Sequence, residues 1–101
     1  MTAHVACAVN EVAGGRGKAV EVGGRRLSIF RVGDAFHAID DACTHLGASM
    51  GEGIVVDGCA VCPWHGAQFD LVTGAAFGPP ARGPVQAYRC RVDGSDVLVE
   101  L

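Results

Sequence analysis

The chain has 101 residues and a formal net charge of -3, and hydrophobic residues make up 50% of it. This balance predicts one globular domain over residues 1–101, and the lack of a basic patch argues against a nucleic-acid partner. No basic segment followed by a long apolar run opens the chain, so we expect a cytoplasmic protein with no signal peptide and no membrane-spanning helix.

Short apolar stretches separated by glycine-rich turns run along the whole chain, which contains 15 glycines. The pairs Gly23-Gly24, Gly33-Asp34 and Asp93-Gly94 are typical of tight turns between neighbouring strands. No stretch shows helical periodicity over three turns, so the pattern predicts an all-β fold, an antiparallel sandwich or small barrel. The predicted strands cover residues 5–12, 19–22, 27–32, 35–39, 54–56, 60–61, 68–71, 85–92 and 97–101.

Two cysteine–histidine pairs lie in the middle of the chain, and a glycine follows each of them. The first is Cys43-Thr44-His45 and the second is Cys62-Pro63-Trp64-His65. Thiolates and neutral imidazoles together form a ligand set that suits iron or zinc. Two short loops that each supply one cysteine and one histidine can hold a metal cluster between their tips. Cys43, His45, Cys62 and His65 are therefore the candidate metal and cofactor ligands.

The order and spacing of these residues resemble those of Rieske proteins, in which two histidines replace two cysteines on one iron of a 2Fe-2S cluster. The likeness extends to Phe69-Asp70, Thr73-Gly74 and Gly78-Pro79-Pro80. It implies one 2Fe-2S cluster, with the two cysteines on the inner iron and the two histidines on the outer iron. It also implies a cluster-binding subdomain, about residues 42–82, inserted in the β-fold, with a stiff proline loop covering the cluster.

A structural zinc site is an alternative interpretation, because zinc also binds mixed cysteine and histidine ligands. Cys59 and Cys62 form a C-x-x-C pair, which with Cys43 and His45 would complete four ligands. That set leaves His65 unexplained, so we treat Cys59 as a non-ligand on a strand or turn. A thioredoxin-like role for the pair would need a strand-to-helix context, and the glycine and proline residues around it argue against a helix.

Three cysteines and two histidines remain outside this ligand set. Cys7, Cys59 and Cys90 are expected to be thiols rather than disulfides, and Cys7 and Cys90 suit small buried apolar positions. His4 and His37 show no ligand pattern for a catalytic iron, and no glycine fingerprint of a dinucleotide site opens a helix. A redox cluster with no substrate or flavin apparatus predicts an electron carrier.

Among Rieske proteins, the chain resembles the small ferredoxins of bacterial aromatic ring-hydroxylating dioxygenase systems. This resemblance implies a monomeric one-electron carrier, not itself an enzyme, between a flavin-dependent NAD(P)H reductase and a terminal oxygenase. The small subunit of an assimilatory nitrite reductase and a cluster-bearing redox sensor are alternatives. We expect partners to dock on a small apolar patch that contains Leu46, Trp64 and Pro80.

Four departures from high-potential Rieske proteins bear on the reduction potential. Those relatives carry two cysteines that join the ligand loops, where this chain has Ala48 and Trp64. They also carry a serine and a tyrosine whose hydroxyls bond to cluster sulfurs, where this chain has Ala67 and Phe69. Such bonds favour the more negative reduced state, so their absence predicts a potential near the bottom of the family range, about -150 mV.

Overall fold

The computed structural model describes residues 2–44, 47–64, 66–78 and 81–101, and the strands in these ranges form three antiparallel sheets. Their orders are β1-β10-β9, β2-β3-β4-β8 and β5-β6-β7, which confirms the predicted all-β architecture. No helix within these ranges is long and apolar enough to cross a membrane. The strands are β1 (Ala3–Ala8), β2 (Gly17–Val22), β3 (Arg25–Val32), β4 (Ala35–Asp40), β5 (Ile54–Val56), β6 (Cys59–Val61), β7 (Gln68–Asp70), β8 (Ala87–Tyr88), β9 (Cys90–Asp93) and β10 (Asp96–Glu100).

Glycines with positive φ close the hairpins of the second sheet. Gly23 and Gly24, with φ of 56° and 78°, join β2 to β3, and Gly33, with φ of 60°, joins β3 to β4. Two-residue hairpin turns need this left-handed conformation, which costs glycine nothing. The three strands therefore pair in regular register and form a frame on which the rest of the molecule packs.

β3 separates two hydrophobic cores, because its central side chains are buried on both faces. Leu27 and Ile29 belong to the first core, which fills the space between the first and second sheets. Phe30 belongs to the second core, between the second and third sheets. Both candidate cysteine ligands, Cys43 and Cys62, lie in the second core. The candidate metal site is thus built on a packed base.

The single strand predicted over residues 85–92 is wrong, because the structure has two strands there. β8 pairs with β4 in the second sheet, whereas β9 pairs with β10 in the first. The carboxylate of Asp40 fixes the earlier half by accepting hydrogen bonds from the Tyr88 hydroxyl (2.7 Å) and the Gln86 N–H (3.0 Å). The chain changes sheets at Arg89, which the alternation of side chains does not reveal.

The first strand ends earlier than the sequence predicted. β1 stops at Ala8, and Val9–Glu11 form a 3-10 turn in which Glu11 Oε1 accepts a hydrogen bond from the Ala8 N–H (2.8 Å). A second 3-10 turn, Met50–Glu52, follows the first candidate ligand loop. The other predicted strands are confirmed, with ends that shift by at most about two residues, the usual uncertainty of element boundaries.

Candidate metal centre

Two hairpin loops of equal length carry the candidate ligands. The first covers residues 43–48 and the second residues 62–67, and each begins with cysteine and ends with glycine-alanine. In each loop the N–H of the opening cysteine donates to the carbonyl of the closing alanine, over 2.9 Å in the first and 2.7 Å in the second. The sequence contains this repeat as C-x-x-x-G-A, and the unequal cysteine-to-histidine spacing conceals it.

A left-handed glycine reverses each loop before the closing alanine. Gly47 and Gly66 both have φ of 72°, a conformation that side chains with a Cβ rarely adopt. In the first loop, the Gly47 N–H also donates to the Cys43 carbonyl over 2.8 Å. The two glycines that follow the predicted ligand pairs are therefore needed to bring each loop back to its base.

The structure places the two candidate cysteine ligands side by side. Cys43 and Cys62 are each 3% exposed, and their sulfur atoms lie within hydrogen-bonding reach of each other. Burial raises the pKa of the Cys62 thiol, the Trp64 backbone N–H opposes this, and the neighbouring Cys43 raises it further. Metal binding must therefore displace a thiol proton here, as it does at other cysteine sites.

The candidate histidine ligands, His45 and His65, lie outside the described residues. Leu46, Pro79 and Pro80, which the sequence assigns to the docking patch and the proline loop, lie outside them as well. The roles of these five residues remain predictions.

The segment after the prolines contacts the first ligand loop. The Thr44 hydroxyl donates to the Gly83 carbonyl (2.8 Å), and the same oxygen accepts a hydrogen bond from the Arg82 N–H (3.2 Å). Ala81 packs against the second core. These contacts bring the chain that follows the predicted proline loop next to the candidate ligands. Thr44 is thus a linking residue that the ligand motif alone does not identify.

A buried carboxylate lies at the base of the first loop. Asp41 is 2% exposed, and its side chain accepts hydrogen bonds from Ser49 Oγ (2.9 Å), the Gly51 N–H (2.9 Å) and Arg26 Nε (2.8 Å). The hydrogen bond to Asp41, together with the attraction of its charge, raises the pKa of the Arg26 guanidinium. The sequence offers only a weak signal for this network, namely an acidic residue two positions before a ligand cysteine.

Cys59 does not join the other two cysteines of the alternative zinc site. It opens β6, while its neighbour Ala60 is the residue of that strand that packs into the second core. Among the described residues, no three His, Cys, Asp or Glu side chains lie close enough together to hold a metal ion. A site built on Cys43, Cys59 and Cys62 is therefore not formed, and the strand at β6 also differs from the helix that a thioredoxin-like pair needs.

The remaining cysteines behave largely as expected. No disulfide joins any of the five, all of which lie in the described part of the chain. Cys7 is buried in the first core, as predicted, whereas Cys90 is only half-buried. Burial, with a smaller contribution from Cys7, raises the pKa of Cys90 to about 12, so this thiol stays protonated at neutral pH. His4 and His37 lie on β1 and β4.

The donor set at the loop bases fits a cluster held by thiolates. Two adjacent sulfurs can bind the same metal ion, and a backbone N–H directed at one of them stabilises the thiolate form. The apolar core around the sulfurs excludes water from that side of the site. The fold and site therefore define the class as a small all-β metal-cluster domain.

Comparisons with known proteins identify the family. The Rieske 2Fe-2S domain matches residues 2–89, so the chain belongs to this family and carries its one 2Fe-2S cluster. The ferredoxin subunit of 3-phenylpropionate/cinnamic acid dioxygenase from Shigella boydii is 45% identical over 76 residues, which are 74% of this chain and 72% of that protein. The resemblance to Rieske ferredoxins of aromatic dioxygenase systems is thereby confirmed.

Solved structures agree with this assignment. The ferredoxin of carbazole 1,9a-dioxygenase from Nocardioides aromaticivorans superposes with a TM-score of 0.89 at 32% identity, covering 98% of this chain and 97% of that one. A complex of reduced oxygenase and oxidised ferredoxin in carbazole 1,9a-dioxygenase contains a chain with a TM-score of 0.83 at 34% identity, covering 96% and 91%. The Rieske ferredoxin fold of this chain is therefore confirmed.

Proposed function

We propose that this chain is the ferredoxin component of a ring-hydroxylating dioxygenase system. It carries one electron at a time from a flavin-dependent NAD(P)H reductase to a terminal oxygenase, acts as a cytoplasmic monomer and catalyses no reaction itself. Its 2Fe-2S cluster is held by Cys43, His45, Cys62 and His65. The single observation that carries this proposal is the pair of buried, adjacent sulfurs of Cys43 and Cys62 at the bases of two equivalent loops.

The cluster supplies a one-electron couple whose charge goes from near neutral to about -1 when two thiolates and two neutral imidazoles hold it. The chain's own residues limit rearrangement during this change. Hydrogen bonds across both loops hold the opening cysteines, and the second core packs behind their sulfurs. A site that is already organised before the electron arrives needs little reorganisation afterwards. This suits a carrier that exchanges electrons repeatedly.

Two exposed aromatic side chains lie near the second ligand loop. Trp64, within that loop, is 52% exposed, and Phe77 is 54% exposed. The Phe77 N–H donates to the carbonyl of Gln68 (3.0 Å), the first residue of β7, so Phe77 lies beside the point where the second loop closes. Exposed aromatic residues suit small transient interfaces, in which a few side chains dominate binding. The docking surface proposed here is therefore Trp64 and Phe77, together with Leu46 and Pro80 from the predicted patch.

The carbazole ferredoxin that forms a complex with its oxygenase supports the terminal oxygenase as one partner. The 3-phenylpropionate system of the related ferredoxin subunit offers components for a direct test. The reduced protein is mixed with an oxidised terminal oxygenase from that system in a stopped-flow instrument. Reoxidation should restore the visible band of the carrier as the oxygenase is reduced, with one electron delivered per chain.

A matched control separates electron delivery from cluster content. Cys59→Ser should leave transfer unchanged, because Cys59 lies outside the ligand set. A fully loaded protein that neither accepts electrons from a flavin reductase nor delivers them to any oxygenase of a test panel would contradict the carrier role. That outcome would favour a cluster-bearing sensor.

A further inference from the structure

The two ligand loops are closed in different ways. The second loop extends from the β6–β7 hairpin, where three consecutive residue pairs form a ladder beneath it. The first loop rests on a single isolated bridge, Ala42↔Ser49. β4 has already ended at Asp40, and the chain enters the 3-10 turn Met50–Glu52 immediately after the bridge. In the described part of the chain, no strand ladder lies beneath the first loop.

Asp41 supplies the missing closure. One carboxylate oxygen, Oδ1, accepts hydrogen bonds from both Ser49 Oγ and the Gly51 N–H, each with a donor–acceptor distance of 2.9 Å. The Asp41 carbonyl accepts a third from the Met50 N–H over 2.7 Å. All three bonds connect Asp41, where the chain enters the loop, with Ser49, Met50 or Gly51, where the chain leaves it. We call the residues joined by these bonds, Asp41 and 49–51, the neck of the first loop. A buried hydrogen bond to a charged group contributes more to stability than one between neutral groups, so the neck is firmly held.

The other carboxylate oxygen connects the neck to the second sheet. Arg26 Nε donates to Asp41 Oδ2 over 2.8 Å, and the Asp41 N–H donates to the Arg26 carbonyl over 3.2 Å. On the far side, Gly51 packs so closely on β2 that a Cβ there would collide with the backbone of Ala19. The base of the first loop is therefore fixed against β2 and β3, the regular frame of the fold.

We propose that Asp41 is a positioning residue that keeps Cys43 beside Cys62 for cluster binding, doing for the first loop what the β6–β7 ladder does for the second. The inference rests on the proposed ligand set. Asp41 precedes Cys43 by two residues. Ser49 directly follows Ala48, and the Ala48 carbonyl accepts a hydrogen bond from the Cys43 N–H (2.9 Å). A shift of Asp41 or Ser49 would therefore also shift Cys43.

The test compares Asp41→Ala and Asp41→Asn with the neighbouring variant Asp40→Asn. Asp40 is a matched control, because its carboxylate is also hydrogen-bonded but to Tyr88 and Gln86, away from the loop. Each loaded protein is incubated with an iron chelator, and loss of the visible band is timed. Circular dichroism reports the fold, and electron paramagnetic resonance of the reduced protein reports the ligand geometry.

Asp41→Ala should lose its cluster at least about tenfold faster than the wild type, which corresponds to about 1.4 kcal/mol. The rate of cluster loss from Asp41→Asn should lie between the rates of the wild type and Asp41→Ala, because the amide oxygen still accepts hydrogen bonds from Ser49 and Gly51. Both Asp41 variants should shift the resonance lines, whereas Asp40→Asn should match the wild type. A merely structural role would lower the melting temperature of Asp41 and Asp40 variants alike without shifting these lines.

The inference and the proposed function fail in different ways. A wild-type protein without a cluster would contradict the proposed function. A loaded wild type with Asp41 variants that lose the cluster at the wild-type rate, or with unshifted resonance lines, would overturn the role of Asp41 alone. If Asp41→Ala does not fold, Asp41→Asn and Ser49→Ala decide the question: faster loss in both supports the role, and loss at the Asp40→Asn rate overturns it.

Discussion

Restoring a hydroxyl beside the cluster should raise its reduction potential. Ala67 ends the second ligand loop, is fully buried and belongs to the same core as Cys62. Its position corresponds to the serine of high-potential Rieske proteins, whose hydroxyl bonds to a cluster sulfur. Ala67→Ser adds one oxygen to a site from which water is excluded. A buried hydroxyl needs a hydrogen-bond partner, and the resemblance to high-potential Rieske proteins makes a cluster sulfur the expected acceptor.

The size of the expected shift in reduction potential follows from the free energy of one hydrogen bond. A bond that favours the reduced state by about 1 kcal/mol raises a one-electron potential by roughly 40 mV, given about 59 mV for each tenfold change in the equilibrium constant. Phe69→Tyr should have a similar effect where its hydroxyl reaches the ligand sulfur, since Phe69 is also fully buried in this core. The wild type should lie near about -150 mV, the lower limit for Rieske centres.

Protein-film voltammetry on the wild type and the two variants measures these shifts directly. Ala38→Ser is the matched control, because Ala38 is equally buried but belongs to the first core. Its potential should equal that of the wild type. A wild-type potential well above about 0 mV would refute the reasoning. So would an unchanged potential in a variant whose new hydroxyl is seen to contact a sulfur.

Three further predictions concern docking, acid stability and packing. Trp64→Ala should slow electron delivery to an oxygenase in stopped-flow assays while the cluster spectrum stays the same, and equal rates would argue against this docking surface. Hydrogen bonds from the Thr73 and Val72 N–H groups lower the pKa of Asp70, so the stability it contributes is present above the unfolded value of 3.8 and is lost as pH falls below it. Asp70→Asn should therefore reduce the loss of stability between pH 7 and pH 3 in urea titrations, and an unchanged loss would contradict this. Gly51→Ala should lower the free energy of unfolding by about 1–3 kcal/mol, because the new methyl group meets the Ala19 backbone; Gly83→Ala, in open space, is its control.

Much of the fold could be predicted because its signals are local. Hairpins at Gly23-Gly24 and Gly33-Asp34 depend on the backbone freedom of glycine, which a sequence displays directly. The division of residues 85–92 between two sheets could not be predicted, because it depends on contacts with the distant strands β4 and β10. The early end of β1 depends on a hydrogen bond from the Ala8 N–H to the Glu11 side chain, which competes with strand pairing.

The candidate site shows the same division between local and distant information. The resemblance to Rieske proteins implied that Cys43 and Cys62 bind the same iron, and the structure brings their sulfurs within hydrogen-bonding reach of each other. The burial of Asp41 and its hydrogen bonds could not be predicted, because a sequence does not show whether a charged residue is buried or exposed. Only the fold brings Arg26 and Gly51 to it. The link from Thr44 to Gly83 spans the predicted proline loop and was equally invisible.

The ligand set is the central claim, and the bound metal tests it most directly. Iron and acid-labile sulfide are counted on the purified protein, and pulsed electron paramagnetic resonance of the reduced form detects nitrogen ligands. We predict two irons and two sulfides per chain with couplings from two imidazole nitrogens. Cys43→Ser and Cys62→Ser should abolish the visible band, whereas Cys59→Ser should retain it. Zinc in place of iron, an iron centre without nitrogen couplings, or loss of the band in Cys59→Ser with its retention in a ligand variant would contradict the account.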